Sequence, residues 1–145
     1  MNIWTIGFTK TTAERFFETL RNSGTRRLVD IRLNNVSQLA GFAKKQDLAY
    51  FLKTICGIEY EHLPILAPTA EMLDAYRKRL MSWAEYEQQF LTLMSERHIE
   101  SVIPFEVLAD SCLLCSEDRP ARCHRRLVAE YLAQHWGGIE IQHLT

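Results

Sequence analysis

"CLLCSEDRPARCHRRLVAEYLAQHWGGIEIQHL", residues 112–144, sets two short apolar runs at the ends of one helical pattern. Residues 112–115 (CLLC) are short and apolar, which fits a central strand buried on both faces, and residues 116–122 (SEDRPAR) read as the polar turn that leaves it. Leu127, Val128, Tyr131 and Leu132 then recur at helical spacing, giving one apolar face that ends at Trp136-Gly137-Gly138. Residues 139–144 read as a final strand. Strands separated by helices imply right-handed crossovers, hence parallel strands covered on both faces.

The same alternation runs back to the N-terminus. Residues 2–6 (NIWTI) read as a buried strand stopping at Gly7, and Ala13, Phe16, Phe17 and Leu20 give a helix with capping-box spacing at Thr11 and Glu14. Residues 27–31 (RLVDI) form a second strand carrying Asp30 and Arg32 to its carboxyl end, and residues 33–46 lack a clean period. Leu48, Phe51, Leu52 and Ile55 restore helical spacing up to Gly57, and residues 58–63 (IEYEHL) alternate as a third strand before Pro64. Helices are expected over 70–81 and 83–97, the second opened by Ser82 and Glu85, with a short helix after Pro104. The expected fold class is α/β: a single three-layer domain of 145 residues with a mainly parallel β-sheet flanked by helices.

Composition narrows the setting. No apolar run approaches the roughly 18 residues of a membrane span, and the N-terminus MNIWTIGFTK has no signal-peptide pattern, so a cytoplasmic protein with no membrane partner is expected. Four cysteines in that setting are read as reduced thiols, with bridging the lesser use. The net charge of -1 hides an asymmetry: residues 1–53 carry nine Lys/Arg against four Asp/Glu, residues 54–111 four against ten. Such asymmetry fits an anionic ligand site or a homo-oligomer contact, and also plain solvated surface.

Residues 112–126 leave three chemistries open. Cys112, Cys115, Cys123 and His124 offer soft metal ligands, but residues three apart on a strand face opposite ways and adjacent residues on a helix diverge by about 100°. A partial set drawn from Cys115, Glu117, Cys123 and His124 is what remains, and no metal or other cofactor is assigned. Cys123 at a helix start beside Arg122, Arg125 and Arg126 suits a reactive thiolate, or equally a cysteine packed beneath its loop. Neither Cys115 nor Cys123 is followed by five residues and an arginine, which disfavours phosphatase or rhodanese chemistry. The helix start with Arg119, Arg122, Arg125 and Arg126 can also cradle phosphate or carboxylate, Glu117 alternatively fixing the loop by holding Arg125.

Other strand ends supply partners. Asp30 and Arg32 lie two apart and share a face, able to position a ligand unless Asp30 pairs with Arg125 or caps a neighbouring helix. His62 reads as a strand-end residue, and Trp83, Tyr86, Phe90 and Leu93 as a core stripe or subunit contact. His124 facing the same crevice suits general acid–base work near neutral pH, or equally a half-buried histidine bonded to a backbone carbonyl.

"TIGFT", "LVDIR", Ser37 and Phe42, "YEHLP", and above all "LLCSE" followed by "CHRRLVAEYL" resemble the domain of unknown function 488 family across nearly the whole chain. The resemblance implies a compact α/β domain and carries no reaction with it. Two positions depart from the family's pattern: Phe8 stands where histidine is expected and Val36 where proline is common. The resulting expectation is an enzyme acting on an anionic small molecule, nucleotide or nucleic acid at the strand carboxyl ends. Its catalytic set is Cys123, His124, Glu117 and Asp30, and its substrate-binding set is Thr9, Arg32, Arg122 and Arg125. A non-catalytic nucleotide-sensing module and a metal-stabilised interaction domain are the alternatives.

Overall fold

Five parallel strands frame the described part of the chain, residues 1–34, 41–116 and 123–144 of a computed structural model. Val36, Ser37, Glu117, Arg119 and Arg122 lie outside the described residues. The strands β1 (Asn2–Gly7), β2 (Arg27–Asp30), β3 (Glu59–His62), β4 (Ser111–Cys115) and β5 (Glu140–His143) line up in the order β3-β2-β4-β1-β5. β4 pairs with β1 on one side and β2 on the other, so its five residues are all buried, as a near-continuous apolar run requires.

Alternation along the strands sorts side chains into two cores. Trp4, Ile6, Leu28, Cys112 and Leu114 pack with Phe16, Phe17 and Leu20 of α1 (Ala13–Ser23), Leu48 of α2 (Lys45–Phe51), and Leu52 in the π-helical turn Leu52–Cys56. Ile3, Val29, Leu113 and Cys115 face the other way. There they meet Met72 of α3 (Ala70–Arg77), Phe90 and Met94 of α4 (Trp83–Glu96), and Leu127, Val128 and Leu132 of α7 (His124–Trp136). Cys112 and Cys115 therefore belong to opposite cores, as their spacing predicts.

Local chemistry sets the helix ends. Thr12, not Thr11, caps α1, its hydroxyl accepting from the Arg15 amide at 3.1 Å, and Gly24 closes the helix at φ 86°, a left-handed conformation that costs glycine little. Ser82 caps α4 through the Glu85 amide and also donates to the Glu85 carboxylate. α3 ends at Arg77, short of the predicted 81, where Arg79 turns to positive φ. The region after α4 forms two single turns, α5 (Ile99–Val102) and α6 (Phe105–Leu108), with Pro104 entering the second. No helix among the described residues is long and apolar enough to cross a membrane.

The topology fixes where a ligand can enter. β1 and β2 lead into α1 and α2 on one face of the sheet, whereas β4, lying between them, leads into α7 on the other. Neighbouring strands thus send their connections to opposite sides, and a crevice opens beyond their carboxyl ends. Register brings those ends level: Gly7 opposes Cys115 across β1 and β4, and Asp30 opposes Leu114 across β2 and β4.

Candidate functional site

At the end of β2 the chain turns away from the strand, and this turn lets Asp30 and Arg32 grip each other. The Arg32 guanidinium donates to Asp30 through Nε (2.8 Å to Oδ1) and Nη2 (2.7 Å to Oδ2), and the Arg32 amide donates to Oδ1 at 3.1 Å. The Tyr60 hydroxyl of β3 donates to Oδ2 at 2.6 Å, so both carboxylate oxygens are engaged. Of the readings open for Asp30, internal pairing holds, but with Arg32 as its bidentate partner rather than Arg125. Arg32 also donates from Nη2 to the Ala43 carbonyl at 2.7 Å, and its guanidinium carbon lies 5.1 Å from the centre of the Phe8 ring. Its third nitrogen, Nη1, is buried with no hydrogen-bond partner among the described residues.

Across the crevice the end of β4 meets the start of α7. Cys123 is the N-cap residue of that helix, with extended backbone (φ -136°, ψ 142°), and helical geometry begins only at His124. The predicted divergence of about 100° holds for two residues both on a helix and not for this pair. Cys115, Cys123 and His124 accordingly bring one ligand atom each to within 4.8 Å of one another. Cys115 and Cys123 are joined as a disulfide, against the expectation that bridging is the lesser use of these thiols, because β4 ends beside the extended cap of α7. Their Cα atoms stand 7.4 Å apart, wider than the usual 4.4–6.8 Å of such a bond. His124 Nε2 lies 2.8 Å from the Ile31 carbonyl, which can only accept, so Nε2 carries the proton. Burial pushes the His124 pKa down to about 4, the bond to Ile31 opposing this in part, so the ring is neutral near pH 7 with Nδ1 as its lone-pair nitrogen.

Between these two constellations lies a cleft of about 980 Å³. Phe8, Thr9, Arg32, Cys115, Cys123 and His124 form its sheet side. Tyr76, Arg77, Arg79, Trp83 and Tyr86 form the facing wall from α3, α4 and their connection. The wall is an aromatic stack: Trp83 and Tyr86 rings lie 5.2 Å apart at 20°, and Tyr76 packs against both. Arg77 and Arg79 are exposed at its rim.

Sequence reasoning placed some of this set and missed the rest. Asp30, Arg32, Thr9, Cys123 and His124 converge on the carboxyl ends, Thr9 tying β1 to β4 by donating from its hydroxyl to the Ser116 carbonyl. Arg125 is wholly buried in α7 and does not line the cleft, and Glu117 and Arg122 fall outside the described residues. His62 hydrogen-bonds the Arg32 carbonyl at 2.8 Å and so steadies the same turn. Tyr60, Tyr76 and Phe8 escaped notice as site residues, and Cys115 entered only as one of several metal ligands. The strand alternation of IEYEHL could have flagged Tyr60 as facing the same side as His62. Trp83 packs against the core and also lines the cleft.

Comparison with curated proteins gives no match, and comparison with solved structures gives none. A family model does match, the Domain of unknown function DUF488, over residues 12–132. That span runs from the cap of α1 into α7 and takes in Asp30, Arg32, Tyr60, Cys115, Cys123 and His124, leaving Phe8 and Thr9 before it. With most of the chain and nearly every cleft residue inside the matched span, the chain belongs to the DUF488 family.

Proposed function

We propose that the cleft binds an anionic, ring-bearing small molecule of the nucleotide class. The observation that carries this reading is the Arg32 Nη1, a buried guanidinium nitrogen without a hydrogen-bond partner among the residues that line the cleft. A buried donor left unmade is costly, and a phosphate or carboxylate oxygen at that point satisfies it. Asp30 holds the guanidinium in one orientation before any ligand arrives, so little side-chain entropy is lost on binding. Tyr76 and Trp83, backed by the buried Tyr86, offer ring edges and faces to a planar ring, and Arg77 and Arg79 at the rim add attraction for an anion.

Binding is better supported than acid–base catalysis. Both Asp30 oxygens are engaged, His124 Nε2 is held by a backbone carbonyl, and Cys123 is bonded to Cys115. The test is calorimetric titration of the chain with inorganic phosphate and with adenosine monophosphate. The nucleotide binds more tightly than phosphate, and Arg32→Met weakens both by about 10- to 100-fold, the equivalent of one lost hydrogen bond to a charged group. A double Arg77→Ala, Arg79→Ala variant, which leaves the buried floor intact, weakens both less. Absence of binding by either ligand overturns the proposal.

A further inference from the structure

We infer that in its reduced form the chain holds a soft divalent metal ion, of which zinc is the type, on Cys115, Cys123 and His124, with one coordination position open to the cleft. Three observations converge. The three ligand atoms lie within 4.8 Å of one another, a spacing that modest rotation about the side-chain bonds converts to tetrahedral distances of about 2.3 Å for sulfur and 2.0–2.1 Å for nitrogen. The Cα atoms of the two cysteines are 7.4 Å apart, a span too wide for a relaxed disulfide and free of that constraint when an ion stands between the sulfurs. The Nε2–H of His124 donates to the Ile31 carbonyl, the outer-shell bond by which metal-bound histidines are commonly oriented, and this leaves Nδ1 as the coordinating nitrogen.

The trio is packed into the fold. Cys115 closes the central strand, Cys123 is fixed as the cap of α7, and both are buried, while the Phe90 ring packs 5.6 Å from that of His124. All three ligands line the cleft, so the fourth position faces the cavity rather than a fourth side chain among the described residues. Two thiolates, one histidine and an open position is the donor set of a zinc site that receives water or substrate. Cys112 takes no part, because it faces the opposite core.

Disulfide and metal site are alternative states of the same sulfurs. A small dithiol opens the Cys115–Cys123 bond by exchange, taking up the disulfide itself and leaving two protein thiols. Zinc then displaces two protons as the thiols bind as thiolates, so loading releases two protons per ion beyond those of the buffer.

The experiment uses the full chain, reduced with a dithiol, stripped with a chelator and freed of both, and titrated anaerobically with cobalt(II) alone and then with zinc(II). One equivalent of cobalt gives visible bands of tetrahedral intensity and a near-ultraviolet thiolate charge-transfer band, and one equivalent of zinc removes them. Cys115→Ser, Cys123→Ser and His124→Ala each weaken zinc binding by more than the about 10- to 100-fold that disturbing an outer-shell partner costs. Cys56→Ser, a free cysteine on the other face, binds as the parent does. A second readout needs no variant: zinc slows alkylation of Cys115 and Cys123, mapped by mass spectrometry, and leaves Cys56 unchanged. Absence of the cobalt bands in the reduced parent, or equal alkylation of Cys115 and Cys123 with and without zinc, overturns the inference.

Discussion

Replacing Asp30 by asparagine removes the charge that holds Arg32, and the structure sets the size of the effect. The side chains of Asp30 and Arg32 are 0 % and 5 % exposed, so water cannot take over what the carboxylate gives. Asparagine keeps one carbonyl oxygen but turns an NH2 group toward donors, either the Arg32 guanidinium or the Tyr60 hydroxyl, each now within 2.8 Å of the altered group. A buried cation deprived of its partner costs about 3–5 kcal/mol, against a total stability of about 5–15 kcal/mol for a domain. With a urea m-value of about 2 kcal/mol/M, the unfolding midpoint falls by roughly 1.5–2.5 M. Because a buried ion pair gains little over a packed apolar pair, Asp30→Leu combined with Arg32→Met is less destabilised than Asp30→Asn alone. Urea unfolding followed by circular dichroism measures both. A midpoint shift below about 0.5 M for Asp30→Asn refutes the reasoning, because it means that the pair is screened and Arg32 is not held in place.

Other perturbations probe separate links. Tyr60→Phe removes the hydroxyl from Asp30 while keeping the ring, and lowers stability by about 1–2 kcal/mol in the same melt. Ser82→Ala strips α4 of its cap and lowers stability by about 1 kcal/mol, whereas Thr11→Ala, outside the cap, changes it by less than about 0.5 kcal/mol. The hydrogen bond from Tyr131 holds the Glu100 carboxyl below its usual range. Its contribution is therefore present above the unfolded-state pKa near about 4.3 and lost as pH falls through the lower folded value. Tyr131→Phe accordingly flattens the fall in urea midpoint between pH 5 and pH 2, and an unchanged slope counts against the coupling. Phe90→Ala opens a cavity beneath His124 in a wholly buried site, which lowers stability by about 3–5 kcal/mol.

What the sequence determined by itself is what local chemistry dictates. An apolar CLLC bounded by a polar turn reads as a buried strand wherever it sits, and alternation alone separates Cys112 from Cys115. Periodic Leu127, Val128, Tyr131 and Leu132 make α7, and Ser82 with Glu85 opens α4, because caps and faces depend on neighbours within a turn. Parallel strands follow from the alternation of strands and helices, and with them a crevice at the carboxyl ends. Only the tertiary structure decided which residues meet there. The order β3-β2-β4-β1-β5 places Tyr60 on Asp30 and Phe8 beneath Arg32, contacts that span 30 and 24 positions. Strand order is set by how whole faces bury, which no short window of sequence encodes. A single departure from helical dihedrals at Cys123 then decided whether its sulfur turns away from His124 or joins it.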